Sequence, residues 1–353
     1  METSMQSNKI TADSQVARIF EWRRGFNTIH LIDVGIRAGL FKALADSPGM
    51  SASEIASQLG LHAPFVETWC KTAYGMELLD ADEGLRYRLA PFFDSILASP
   101  THPRYLGGYV RLGTEVAAED FRRCATALRT GEVRPFQGRG DDFAHAVAES
   151  TWGLQVVTAK KILPGLSGLA LRLEAGGTVL EVGCGTGNLL VQLAKSFPRA
   201  SVIGVDIDAE SLALARSRID KAGIAERAQA RKGSVGATVA PSSVDAVVMV
   251  EVLHEIAPKF RASVINECAA ALKPDGWMLI VDETYPSTLE ELRQPEFRFP
   301  LMTGFEEMVW GNVLPTREEQ EKLLRDAGLT GPVDRSVIGE GFTVLATRKP
   351  GVA

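Results

Sequence analysis

Three glycines at alternate positions, Gly183, Gly185 and Gly187, follow the apolar run Thr178-Val179-Leu180-Glu181-Val182. Asn188 comes next, and Leu189-Leu190-Val191 begins a helical pattern. Glycines at that density let the backbone turn sharply and approach a ligand, because no Cβ stands in the way. A helix opening at Asn188 would aim its free amide groups at whatever lies over the loop. The chemistry implied is a strand–loop–helix cradle. Asp206 closes the next strand about twenty residues on, where an acid can bond both hydroxyls of a ribose. Glu181, inside the first strand, suits a cofactor with a positive amino or sulfonium group better than a pyrophosphate. Nothing matches GxxxxGK[ST], so no triphosphate loop of the Walker type is expected.

The elements around the cradle alternate. Ala200–Val205 reads as a strand, Ala209–Ala222 as an amphipathic helix and Ala228–Lys232 as a short strand. Asp245–Val250 and Gly276–Val281 are continuous apolar strands separated by a helical Lys259–Leu272. Such strands predict an α/β fold, Rossmann-like, with a mostly parallel sheet covered on both faces. Ligands bind such sheets beyond the strand C-termini. Ser336–Arg348, broken at Gly339-Glu340-Gly341, predicts a closing antiparallel hairpin.

The first hundred residues read differently. Val16 to about Ala45 is helical and stops at Ser47-Pro48-Gly49. Ser51 and Glu54 offer a capping box for a helix to Leu59, with Gly60 as its stop. Another helix is predicted from His62-Ala63-Pro64 through Leu79, then a turn at Asp80–Gly84 and a strand at Leu85–Leu89. This is the order of a winged helix. A DNA-binding role is disfavoured, because residues 1–100 hold nine Lys/Arg against twelve Asp/Glu. The expectation is a dimerisation domain over residues 1–100, a helical connection over 101–165 with breaks at Gly107-Gly108, Thr130-Gly131 and Gly138–Gly140, and the cradle domain over 166–353.

The 353 residues are 45% hydrophobic and 23% charged, with a net charge of −6, which gives no support to nucleic-acid or anionic-membrane partners. The four cysteines form no CxxC pair, which points to a reducing compartment, and no apolar run has the length of a membrane span. The lead Met1–Ala12 is polar, without the apolar core of a signal peptide. A cytoplasmic protein is expected.

Val179–Asn188, Gly204–Asp208, Asp245–Val250 and Leu272–Gly276 resemble the successive motifs of class I S-adenosylmethionine (SAM) methyltransferases. With the N-terminal winged-helix order, the chain is similar to the plant-type small-molecule O-methyltransferases and their bacterial relatives. The resemblance implies SAM as cofactor, held by Glu181, Gly183, Gly185, Gly187, Asp206 and Ile207. Ser234 and Val235 fall where the family usually has an acid on the adenine, and Glu251 could bound the cofactor pocket. His254 matches the family's general base. Histidine titrates near neutral pH and can take a phenol or enol proton during methyl transfer. Asp282 stands at the first supporting acid, with Glu283 beside it. The second falls at Leu314, which cannot serve; Glu306 or Glu307 is the candidate substitute. Between Glu283 and Thr316, Met302, Phe305 and Trp310 imply a flat or apolar acceptor, with His145 and Trp152 upstream as further pocket residues. The partners implied are a small-molecule acceptor and a second copy of the chain. No metal is expected, since no histidine follows His254. Carbon or nitrogen methylation on the same scaffold, or a SAM-binding regulator without turnover, are the alternatives.

Overall fold

The computed structural model describes residues 10–135 and 138–351, and the chain divides between Thr114 and Glu115 into two compact units. Most of the polar Met1–Ala12 lead therefore lies outside the described residues.

The first unit holds helices α1 (Ala12–Arg37), α2 (Leu40–Asp46), α3 (Ala52–Leu59) and α4 (Ala63–Gly75), strands β1 (Leu79–Ala81) and β2 (Tyr87–Leu89), and α5 (Gly107–Arg111). Ser51 and Glu54 cap α3 reciprocally, and Gly60 ends it in the left-handed conformation, as the sequence implies. Helix α4 ends four residues earlier than expected. Leu79–Ala81 pairs antiparallel with Tyr87–Leu89, and Glu77, at φ 59°, turns the chain from the end of α4 into β1. The Gly107-Gly108 break is instead the start of α5. Both glycines are buried, and a Cβ on Gly107 would lie 2.1 Å from the Tyr105 hydroxyl, so they serve close packing. Phe41, Leu44, Ile55 and Trp69 fill the core, and the Trp69 indole donates to the Leu31 carbonyl at 3.0 Å.

The second unit begins with α6 (Ala118–Thr130), α7 (Asp141–Ser150), α8 (Trp152–Val157) and the short α9 (Leu163–Gly165) and α10 (Leu169–Glu174). Then come β3 (Thr178–Val182), α11 (Asn188–Ser196), β4 (Ser201–Asp206), α12 (Ala209–Lys221), β5 (Ala228–Lys232), α13 (Val235–Thr238), β6 (Val244–Val250), α14 (Pro258–Ala271) and β7 (Leu272–Glu283). The chain closes with α15 (Arg298–Glu307), α16 (Arg317–Asp326), β8 (Asp334–Ile338) and β9 (Phe342–Arg348). The sheet order is β5-β4-β3-β6-β7-β9-β8, parallel through β7 and antiparallel over the last hairpin.

Strand order reverses between β3 and β6, which is where a doubly wound sheet opens a ligand crevice. Two apolar layers flank the sheet. Leu189, Leu190, Val202, Leu212 and Leu279 belong to one, and Leu180, Val247, Ile265 and Met278 to the other. Strand β7 runs past Val281 to Asp282 and Glu283, both almost fully buried. That extension sets two carboxylates at the C-terminal edge of the sheet, beside the end of β6. All four cysteines are buried free thiols.

Candidate active site

The glycine loop turns as its composition demands. Gly183, Gly185 and Gly187 all have positive φ, of 66°, 47° and 78°. A Cβ on Gly183 would come within 2.5 Å of Val252, and one on Gly187 within 2.9 Å of Ala215. Gly185 faces open space, with nothing within 4 Å of where its Cβ would be. Arg218 donates to the carbonyl and hydroxyl of Thr186 at 2.7 and 2.6 Å, which pins the loop to α12. Asn188, at the start of α11, donates to the Ala148 carbonyl at 3.0 Å.

Two acids face this loop. Asp206 accepts the Gly185 amide at 2.7 Å and the Asp208 amide at 2.8 Å, so its carboxylate is fixed at the end of β4. Burial raises its pKa, against the lowering effect of those amides. Glu181 is almost fully buried, and its Oε2 has no hydrogen-bond partner among the described residues. Burial, and then the charge of Asp206, push Glu181 well above the ordinary carboxylate range. Ile207 is exposed beside Asp206. Ser234 uses its hydroxyl to cap α13 through the Ala237 amide at 3.3 Å, and Val235 is buried behind it.

The second constellation is built at the ends of β6 and β7. His254 is 2% exposed. Its Nδ1 lies 2.6 Å from Asp282 Oδ1 and 3.4 Å from Glu283 Oε2. Asp282 also accepts the backbone amides of Leu253 (2.7 Å), His254 (3.3 Å) and Glu283 (2.8 Å). Three amides plus an imidazole leave this carboxylate no freedom to turn. The other ring nitrogen, Nε2, meets Glu307 Oε2 at 3.0 Å. Asn312 donates to the same Glu307 oxygen at 3.0 Å.

Of the two candidate acids, Glu307, at the C-terminus of α15, is the one that meets the ring, and Leu314 is buried as an apolar residue. Glu306, its neighbour, makes no bond to the ring; burial, then the charges of Glu307 and Asp120, raise it to about 7. Glu251 stands in the His254 group. One ligand-type atom from each of Glu251, His254, Asp282 and Glu283 lies within 4.8 Å of the others. Glu251 also carries a left-handed backbone, φ 58°, unusual for a residue with a side chain. Val252, which fills the space against Gly183, puts the His254 turn directly beside the cofactor loop.

Sequence reasoning missed Arg261. It is 3% exposed and donates to the carbonyls of Leu253 (3.1 Å), Ile256 (2.9 Å), His254 (3.3 Å) and Val313. One guanidinium therefore ties the His254 turn to the segment after α15. Its only sequence signal is an arginine four residues into a helix, which looks like an ordinary exposed charge.

The aromatic residues separate. Trp310 is buried, its indole donating to Asp120 at 2.7 Å, with Phe143 packed edge-on and Arg139 over both rings. Phe305 is partly exposed and stacks on Phe121 at 6.0 Å, while Met302 is exposed. His145 and Trp152 are half-buried on α7 and at the start of α8.

Many acids crowd this edge, and their protons have a consequence. Burial, opposed by His254, raises both Glu283 and Glu255 to about 8, from an ordinary 4.5. Glu251 is raised well above that range, first by burial and then by Glu283. Between pH 4.5 and 8 the folded chain thus holds protons that the unfolded chain has lost. Stability must fall as pH rises through that window. The melting temperature of the ligand-free protein is expected to be lower at pH 9 than at pH 6, by scanning fluorimetry. A flat or rising profile would show that these acids are ionised throughout.

Known proteins bear on what this edge does. Residues 179–276 match the family model described as a methyltransferase domain. The 3-hydroxy-5-methyl-1-naphthoate 3-O-methyltransferase of Streptomyces sahachiroi is 30% identical over 258 residues, covering 70% of this chain and 72% of that protein. The chain belongs to the small-molecule O-methyltransferases of the class I SAM-dependent family. Solved structures share the fold of this methyltransferase. The human N-acetylserotonin methyltransferase in complex with SAM has a TM-score of 0.76 at 18% identity, over 98% of this chain and all of that one. An O-methyltransferase family protein from Burkholderia thailandensis has a TM-score of 0.73 at 19% identity, over 98% and 100%.

The methyltransferase uses SAM, and the residues present fit it. The unpartnered Glu181 Oε2 offers an acceptor for a cationic amino group, Gly185 leaves the open space, and Asp206 offers a fixed carboxylate for ribose hydroxyls. No helix among the described residues is long and apolar enough to cross a membrane.

Proposed function

We propose that this methyltransferase acts on a phenolic or enolic hydroxyl of a small secondary metabolite, with His254 as the proton-accepting centre. One observation carries the reading: a buried imidazole, held at Nδ1 by a carboxylate that three backbone amides fix, beside the cofactor loop. When bound, SAM supplies an electrophilic methyl group on a sulfonium sulfur. The rest is done by the chain. Asp282 keeps a proton on Nδ1 and stabilises the imidazolium that forms, so Nε2 is the side that gains a proton. Burial works against a charge on His254, but Asp282 and then Glu307 outweigh it and raise its pKa well above the ordinary 6.5. Alignment of nucleophile and methyl group supplies the larger share of the rate.

The test is a panel of phenols, catechols, enols and 2-oxo acids incubated with SAM and read by mass spectrometry. Hydroxyl-bearing aromatics are expected to gain one methyl group, and their deoxy counterparts none. Gain only on 2-oxo acids would refute the reading.

The first unit we assign to dimerisation. Helix α1 exposes Val16, Ile19, Phe20, Trp22 and Phe26 on a stretch of about three turns, a run of large apolar side chains of the kind that marks an interaction site. Phe20→Glu with Trp22→Glu is expected to convert a dimer to a monomer in analytical ultracentrifugation. A wild-type chain that sediments as a monomer at micromolar concentration would end the assignment.

A further inference from the structure

The imidazole of His254 has no free edge. Asp282 holds Nδ1 and Glu307 holds Nε2, at 2.6 and 3.0 Å. Two lone pairs cannot face each other at 3.0 Å, so one proton already lies between Nε2 and Glu307 Oε2. A hydroxyl that arrives in this arrangement cannot hand its proton to Nε2 directly. The nitrogen that the reaction needs is occupied by a residue of the same chain.

Glu307 is also the open end of this triad. Its side chain is 13% exposed, against 2% for His254 and 1% for Asp282. Its Oε2 is engaged by Nε2 and by Asn312, while no hydrogen bond to its Oε1 occurs among the described residues. Oε1 is not among the buried unpartnered atoms either. Glu307 sits on α15, in the same stretch as the exposed Phe305 and Met302. Burial keeps protons on Glu251, Glu255 and Glu283, the other acids near the ring, so they do not compete as proton acceptors.

We infer that Glu307 is a catalytic residue: it receives the acceptor's hydroxyl proton on Oε1 and passes its shared proton to His254 Nε2. The step balances. The acceptor oxygen forms its bond to the methyl carbon as the sulfur–methyl bond breaks, with that electron pair left on sulfur. From the tautomer with the shared proton on Glu307 Oε2, the acceptor proton ends on Glu307 Oε1, the shared proton ends on Nε2, and Asp282 faces the resulting imidazolium. Glu307 later loses its proton to water. The base is a relay of two residues, entered from the carboxylate. This inference rests on the hydroxyl-acceptor reading above.

Glu307→Gln keeps the shape and the contact with Asn312 but cannot take a proton. With a weakly acidic phenol, kcat is expected to fall about 10²-fold or more. With a nitrophenol-type acceptor already ionised at the assay pH, the loss should shrink to within about fivefold, since no proton remains to be moved. SAM affinity, by calorimetry, should match wild type. A variant as fast as wild type, or faster, would mean that Glu307 merely covers Nε2 and would overturn the inference. An equal loss on both acceptors would also overturn it, by showing a supporting role only. Glu307→Asp, with the carboxylate kept, guards against misfolding: it should recover part of the rate on the weak phenol, and failure to do so despite a wild-type melting temperature counts against the relay. A wild-type enzyme that methylates hydroxyls while Glu307→Gln loses nothing sinks only this inference. One that methylates no hydroxyl sinks the functional reading as well.

Discussion

His254→Ala should abolish most turnover while leaving SAM binding intact. General-base catalysis by a positioned side chain contributes about 10²–10⁴-fold, and the variant's kcat should fall by that amount on a phenol whose proton must be removed. The binding half of the expectation follows from placement. His254 touches Asp282, Glu283 and Glu307, and none of the loop residues Gly183, Gly185, Gly187 or Asp206 is among its partners. The alanine leaves Asp282 buried with its three amides, which keep that carboxylate satisfied, so the turn should hold. Calorimetry of SAM binding and a single-turnover rate separate the two effects. Wild-type turnover would end the role of His254, and a parallel loss of SAM affinity would show it to be structural.

Asp206→Ala should do the reverse. The carboxylate is fixed by the Gly185 and Asp208 amides, and an ionised acid of that kind makes hydrogen bonds worth about 1.5–3 kcal/mol to each donor it meets. Losing the ribose contact is expected to weaken SAM binding about 10²-fold. Part of the loss comes from the loop, because the Gly185 amide also loses its acceptor. Asp206→Asn, which keeps one oxygen, should lie between. Unchanged affinity in both variants would remove Asp206 from the cofactor site.

Much of this was legible in the chain. The alternating strands and helices, the capping box at Ser51, and the glycine loop all obey local rules, and each appears where those rules place it. Local rules failed where pairing decides. Leu79–Ala81 has enough apolar character to extend a helix, but its partner at Tyr87–Leu89 is six residues further on, and the ladder wins. Gly107 looks like a break until the Tyr105 ring is seen against it.

The site divides along the same line. Glu181, Asp206, His254 and Asp282 sit at strand ends, so their positions follow from the strands themselves. Glu307 does not. It reaches His254 from a helix fifty-three residues downstream, and the sequence offered Glu306 as an equal alternative; only the rotation of α15 separates them. Arg261 was invisible for a related reason, since its partners are four backbone carbonyls and backbone leaves no mark in a sequence. Glu251 follows β6 with a left-handed backbone and stands near His254, a grouping that spacing in the sequence does not mark.

The most direct measurement follows the methyl group itself. The enzyme is incubated with ¹³C-methyl SAM and an aromatic acceptor that bears both a free hydroxyl and an open ring carbon beside it. The ¹³C resonance of the product should be that of a methoxy group, correlated to the carbon that carried the hydroxyl. A label bonded to ring carbon or to nitrogen would contradict a site built around proton removal from oxygen.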